Sequence, residues 1–311
     1  MTKMMATRDA YGEALKELGK VNEDIVVLDA DLSGSTKTAV FKNEYPERFF
    51  NVGIAEQSLM GTAAGLATAG KIPFASTFAM FATGRAFEII RNSICYPKLN
   101  VKIAATHAGL TVGEDGATHQ SVEDLSLMRS VPNMTVLCPA DAVEAKKSVI
   151  KASQYEGPVY IRLGRSKVPV IFNEDYDFEI GKGVEIKAGK DITIIATGVM
   201  VSKALEASEV LEKEGISARV INMSTIKPID EDIIIKAAKE TKKIVTVEEH
   251  NIIGGLGSAV AEVVVENNPV PMKRVGVEDT FGESGVADDV LEKYGLTVEN
   301  IVNNVRELVS K

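Results

Sequence analysis

Hydrophobic residues along this chain fall into two kinds of run that take turns. A continuous apolar stretch over 25–28 reads as a strand covered on both faces, as in a parallel sheet, and largely apolar stretches over 72–75, 101–105, 135–139 and 158–164 read as further strands. Between them, apolar residues recur at helical spacing, as at Ala10, Ala14, Leu15 and Leu18 within 8–20, and again in the segment running to Ile150. The alternation resumes with strands over 192–196, 219–223, 244–247 and 273–277, and with helices over 202–214 and 298–309. Strand and helix in regular succession predict an α/β fold of two doubly wound domains, residues 1–172 and a smaller unit over 191–311. Residues 173–190, acidic, aperiodic and punctuated by Gly181, Gly183 and Gly189, are expected to be the connection. The cluster Gly254-Gly255-Leu256-Gly257 lacks dinucleotide-fingerprint spacing and is expected to be a tight strand-to-helix turn.

Composition narrows the function classes. The chain has 311 residues, 45% hydrophobic and 25% charged, as globular proteins do. A net charge of −9 argues against sequence-independent nucleic-acid binding, which needs a basic surface, but leaves phosphorylated substrates open, since a few local arginines suffice. Cys95 and Cys138 have no metal or redox spacing and are expected to be buried thiols of a reducing compartment. The first residues lack the apolar core of a signal peptide, and no run reaches the length of a membrane span. A cytoplasmic protein with no nucleic-acid or membrane partner is expected.

Candidate chemistry gathers where predicted strands end. Glu56 opens a helix rich in Gly61, Ala63, Ala64, Gly65 and Ala67, whose small side chains suggest burial on most sides. A carboxylate there is either a cap, held by the free N–H groups of the first turn, or a poorly solvated group prepared for proton work. Phe78 and Phe81, three apart on one helical face, either fill core or make a flat pocket for a ring. Arg85, Glu88 and Arg91 at three-residue steps read as an ion-pair ladder. Asp31 and Ser35 follow the strand over 25–28, at either a binding edge or a helix-capping cluster. Two of the chain's 3 histidines, His107 and His119, bracket a flexible loop containing Gly109, Gly113 and Gly116, suited to hydrogen-bonding a polar ligand. Arg165 follows another strand. No spacing matches a zinc site, and His250 is distant in sequence.

These stretches, IAEQ, STFAMF and RAFEIIR followed by ATHAGLTVGEDGATHQ over 105–120, resemble the transketolases, and the resemblance covers nearly the whole chain. It implies a thiamine diphosphate pyrimidine-binding domain followed by a transketolase C-terminal domain. By the same resemblance, Glu56 would hydrogen-bond the pyrimidine nitrogen remote from the amino group, favouring the tautomer that deprotonates the thiazolium carbon. Phe78 and Phe81 would hold the ring, Ile54 would lie beside the thiazolium, and Asp31 would help to position the cofactor. His107, Asp115 and His119 would contact donor hydroxyls and phosphate, with His119 also catalytic, while Arg8, Ser35 and Arg165 would anchor phosphate. Many members carry a further aromatic just after the second phenylalanine; Thr83-Gly84 stand here, so another residue is expected to close the ring pocket.

A GDG…N motif for binding the diphosphate through Mg²⁺ or Ca²⁺ is missing; Glu114-Asp115-Gly116 is not one, and the Asn-Asn pairs at 267–268 and 303–304 lie far along the chain. The resemblance therefore implies half an enzyme, the C-terminal subunit of a split transketolase. An N-terminal subunit would supply the diphosphate and metal site, this chain would form the homodimer of a two-plus-two assembly, and sugar phosphates would be the substrates. The rivals are a β subunit of a 2-oxo-acid dehydrogenase, a deoxyxylulose-phosphate synthase fragment, and a catalytically silent scaffold. The two-histidine loop favours transketolase over the first of these.

Overall fold

The computed structural model describes residues 3–310. In the first half the strands are β1 (Met4–Ala6), β2 (Ile25–Asp29), β3 (Phe49–Asn51), β4 (Ile72–Phe78), β5 (Lys102–Thr106), β6 (Thr135–Leu137), β7 (Val159–Arg162) and β8 (Lys167–Pro169). The second half contributes β9 (Val184–Lys187), β10 (Ile192–Ala196), β11 (Ala218–Asn222), β12 (Thr225–Lys227), β13 (Ile244–Asn251) and β14 (Met272–Val277). A seven-stranded sheet has the order β12-β6-β7-β5-β4-β2-β3, and a five-stranded one the order β14-β13-β10-β11-β9. Every pairing is parallel except those of β12 and β9 at the sheet edges. β1 and β8 form a separate antiparallel pair.

The largely apolar runs explain the central strands. β2, β5, β7 and β10 are buried at every position, because helices cover both faces of each sheet. On one face of the large sheet, helix Thr7–Val21 and helix Ala142–Gln154 enclose Tyr11, Leu15, Phe74 and Val149. The second of these starts at a cap in which the Asp141 carboxylate accepts from the Glu144 N–H at 2.8 Å. The opposite face packs against helix Glu56–Thr68, and its core continues into the second domain through Ile226, Ile234 and Val260.

Three expectations are revised. Residues 173–190 are not structureless: β9 pairs antiparallel with β11, and Phe178 is buried in the first domain's core. β12 leaves the second half to pair with β6, so the domains share a sheet as well as a core. The helix Glu56–Thr68 is not buried on most sides. Leu59, Met60, Ala63 and Ala64 face inward, but Gln57, Ser58, Gly61, Thr62 and Gly65 form an exposed face with nothing packed on the two glycines. Small residues permit close approach, and among the described residues nothing approaches Gly61 or Gly65. Among the described residues no helix is long and apolar enough to cross a membrane. Both cysteines are buried and free.

Candidate active site

The C-terminal tips of β2, β4, β5 and β7 deliver Asp31, Phe78, His107 and Arg165 to one edge of the large sheet, where open α/β sheets keep their binding crevices. Two of these residues hold left-handed backbone, Asp31 at φ 64° and His107 at φ 56°. Such conformations cost about 1–3 kcal/mol and persist where the surroundings dictate them, often at functional sites.

His107 is the centre of the closed part. Its Nε2 accepts from Arg8 Nη1 at 3.0 Å, and the same Arg8 nitrogen donates to the Ser35 carbonyl at 3.0 Å. Nδ1 then carries the proton and donates to Thr106 Oγ1 at 2.9 Å. Burial, reinforced by the nearby Arg8 and Arg165 cations, pushes the imidazole down to about 3 from its usual 6.5, so it works as a neutral ring. Burial, with Arg165 adding to it, also lowers Arg8. Arg165 binds the Glu114 carboxylate at 2.8 Å and the Val112 carbonyl. Arg8, Ser35 and His107 are thus in direct contact, and Arg165 is near enough to act on both Arg8 and His107 through its charge.

From His107 a stack of rings leads outward. Phe78 lies 3.8 Å from His107 at 24°, and Phe81 lies 5.8 Å from Phe78 at 15°. His119 meets the edge of Phe81 at 5.3 Å. Arg85 covers Phe81, 5.2 Å from the ring centre, and donates to both oxygens of Glu56 at 3.1 Å. The two phenylalanines do share a face, but not on one helical turn: Phe78 ends β4, and Phe81 begins the π-helical turn Phe81–Arg85.

That turn also corrects the ion-pair ladder. A π turn holds one more residue than an α turn, which breaks the three-residue register and swings Arg85 toward Glu56 instead of Glu88. Glu88 takes a bond from Asn92. The Glu56 side chain is 3% exposed and that of Arg85 56%, so the pair straddles the surface and is worth under about 1 kcal/mol. A ligand can displace it.

The remaining predicted residues stand apart. Asp31 is exposed and paired with Asn51, whose Nδ2 donates to it at 2.8 Å. Ile54 is 79% exposed beside the start of the Glu56 helix. Asp115 is exposed on the glycine loop, and among the described residues no hydrogen bond or ion pair ties it to the cluster. The loop itself is not free: Gly109, Leu110, Thr111, Val112 and Gly113 are buried against the second domain. Among the described residues no group of three or more His, Cys, Asp or Glu side chains is placed to hold a metal ion. The sequence reading gave Arg85 only a place in an ion-pair ladder and did not single out Glu249, a buried carboxylate that reaches this loop. The available signal was Glu248-Glu249-His250, three titratable residues finishing the apolar run of β13.

The chain matches two family profiles, "Transketolase, pyrimidine binding domain" over residues 3–170 and "Transketolase, C-terminal domain" over residues 181–301. A Methanocaldococcus jannaschii protein named as a transketolase C-terminal section is 56% identical over 307 residues, 98% of this chain and 96% of that protein. A 6-deoxy-6-sulfo-D-fructose transketolase subunit from Clostridium sp. (strain MSTE9) is 43% identical, covering 98% of this chain and 94% of its own length. Among solved structures, one described as a split gene transketolase, an inactive beta4 tetramer, is 61% identical with a TM-score of 0.93, covering 98% of this chain and 99% of that one.

Proposed function

The chain belongs to the transketolase family, and we propose that it is the C-terminal subunit of a two-chain transketolase. In this reading it moves a two-carbon ketol unit reversibly from a ketose phosphate to an aldose phosphate, together with an N-terminal subunit. The observation that carries it is the continuous array from Glu56 through Arg85, Phe81 and Phe78 to His107, with His119 on its flank. One wall of rings thereby joins a buried carboxylate to a buried, arginine-bound histidine.

The residues present fit the pyrimidine of thiamine diphosphate, the cofactor that the family implies. Arg85 supports this reading: a flat group bearing N–H donors rests on Phe81 and bonds both Glu56 oxygens. When bound, the cofactor supplies the carbon nucleophile that carries the ketol unit. Glu56 would hold a proton at the ring nitrogen in a poorly solvated setting, where such sharing is strong. Phe78 and Phe81 would support the ring, with Ile54 and Asp31 along its open side. His107 accepts a hydrogen bond as a neutral ring, and His119, on the edge of Phe81, would hydrogen-bond and exchange protons with sugar hydroxyls. Asp115 would add a hydroxyl contact. Arg8 and Arg165, with Ser35 behind Arg8, would meet the anionic end of the sugar.

Ligands for Mg²⁺ or Ca²⁺ would come from the partner subunit, which would also bind the diphosphate. The exposed face of helix Glu56–Thr68 supports an assembly of two copies of each chain, because an open stripe of small residues beside the site suits a close-packed neighbour. The similar split-gene protein is described as inactive as a tetramer of one subunit type, which supports a partner requirement here.

The test is reconstitution. With thiamine diphosphate and Mg²⁺, this chain alone is expected to show no ketol transfer between sugar phosphates, and the chain mixed with its N-terminal subunit to be active. Turnover by a verified partner-free sample would overturn the split-enzyme reading. A complex that consumed 2-oxo acids instead would support the dehydrogenase rival.

A further inference from the structure

The second domain grips the glycine loop that carries His119. Glu249 on β13 is 2% exposed, and its Oε1 accepts from the Thr111 N–H at 2.6 Å. The fit is tight on the loop side: at Gly109, held at φ 80°, an added Cβ would lie 2.4 Å from the Glu249 carboxyl carbon. The carboxylate is itself secured. Arg162 Nη2 donates to the Glu249 carbonyl at 2.9 Å, Nη1 lies 3.9 Å from its carboxylate, and Nε bonds both oxygens of Asp124 at 3.1 and 2.9 Å. At the far end of the loop, Gln120 Nε2 donates to the Glu283 carbonyl of the second domain at 2.9 Å, and to the loop carbonyls of Leu110 and Gly113 at 3.2 Å.

We infer that Glu249 is a positioning residue for sugar binding, holding the 109–120 loop so that His119 stays against the edge of Phe81, on the flank of the ring stack that leads from His107. This rests on the proposed ketol-transfer reading for what the histidines touch. Without a fixed loop, three glycines between the histidines would leave His119 many conformations to lose on each binding event. Glu249 secures the start of the loop and Gln120 its end, directly beside His119. The loop's Val112 carbonyl also holds Arg165, so loosening the loop would spread the anion-binding end as well. Glu249 touches none of the groups around Glu56, so cofactor binding should not depend on it.

The experiment uses the full chain with its N-terminal subunit. Glu249→Ala is expected to raise KM for the sugar phosphate about tenfold, the scale of one hydrogen bond to a charged group, with kcat changed far less and thiamine diphosphate affinity unchanged. Glu249→Gln keeps an acceptor for the Thr111 N–H and should restore most of the lost affinity. If removing the carboxylate unfolds the chain, Gln120→Ala loosens the other end and should move KM the same way. In the unpartnered chain, amide hydrogen exchange of residues 109–120 should quicken in Glu249→Ala or Gln120→Ala while the sheet strands stay protected. Unchanged loop exchange, or faster exchange with unchanged KM, would overturn the inference. A wild-type complex without ketol transfer would defeat the functional reading, yet the exchange arm would still decide whether Glu249 holds the loop.

Discussion

The two ends of the candidate site are built in opposite ways. Around His107 the ring is buried and both its nitrogens are already partnered within this chain, Nε2 by Arg8, which also donates to the Ser35 carbonyl, and Nδ1 by Thr106. Around Glu56 the carboxylate is buried but its one cation is more than half exposed, Ile54 projects outward, and the neighbouring helix face is bare. The difference teaches which half this chain completes alone. Buried polar groups must be satisfied internally, so a prebuilt end needs its own partners, whereas an end to be finished by a ligand or another chain can leave its last contact to a weak, displaceable one.

The largest expected effect breaks the open end. Glu56→Gln should slow proton exchange at the cofactor's reactive carbon, and ketol transfer with it, by at least the ~10²-fold typical of lost acid–base assistance. Stability should move by no more than ~0.5 kcal/mol, since the amide fills nearly the same volume and the lost ion pair is exposed on one side. Equal exchange rates in the variant and wild-type complexes would make Glu56 a helix cap and nothing more.

A smaller effect sharpens the account of Arg85 as a placeholder. Arg85→Ala frees Glu56 of its competitor, and titration calorimetry on the reconstituted complex should find thiamine diphosphate bound a few-fold more tightly, the scale of a half-exposed ion pair. Weaker binding instead would mean that Arg85 stays over the ring and helps to hold it.

The smallest effect tests the closed end, where nothing should move. Because folded His107 takes a proton only near pH 3, its ring resonances should stay constant between about pH 5 and 8. The sign for stability follows. Between about 3 and 6.5 the unfolded chain holds a proton that folded His107 does not, so this residue's share of stability falls as pH drops through that window and is constant above it. A His107 signal titrating near 6.5 would show that the ring is neither buried nor bound by Arg8 in solution.

Much of this was legible in the sequence, because the signals that carried it are local. Largely apolar runs suit strands covered on both faces, and β10 lies over 192–196 where the pattern placed it. Several candidate residues lie just beyond strand ends, where a doubly wound sheet opens a crevice; Asp31, His107 and Arg165 were therefore visible as tips before their partners were known. Phe78 and Phe81 were paired by spacing for the wrong backbone reason, as strand end and π turn bring the rings together instead.

Tertiary structure alone decided what each polar side chain holds. Arg85 reaches Glu56 across 29 residues, and Glu249 reaches Thr111 across 138. Neither separation leaves a periodic trace. The same holds for β12, three residues too short to announce a sheet, which crosses from the second half to lie beside β6. Hydrophobic period sets which face of an element turns inward, and for that the sequence suffices. A buried charge takes whichever partner the packed elements bring within reach, and that is settled only when the sheets, helices and shared core are all in place.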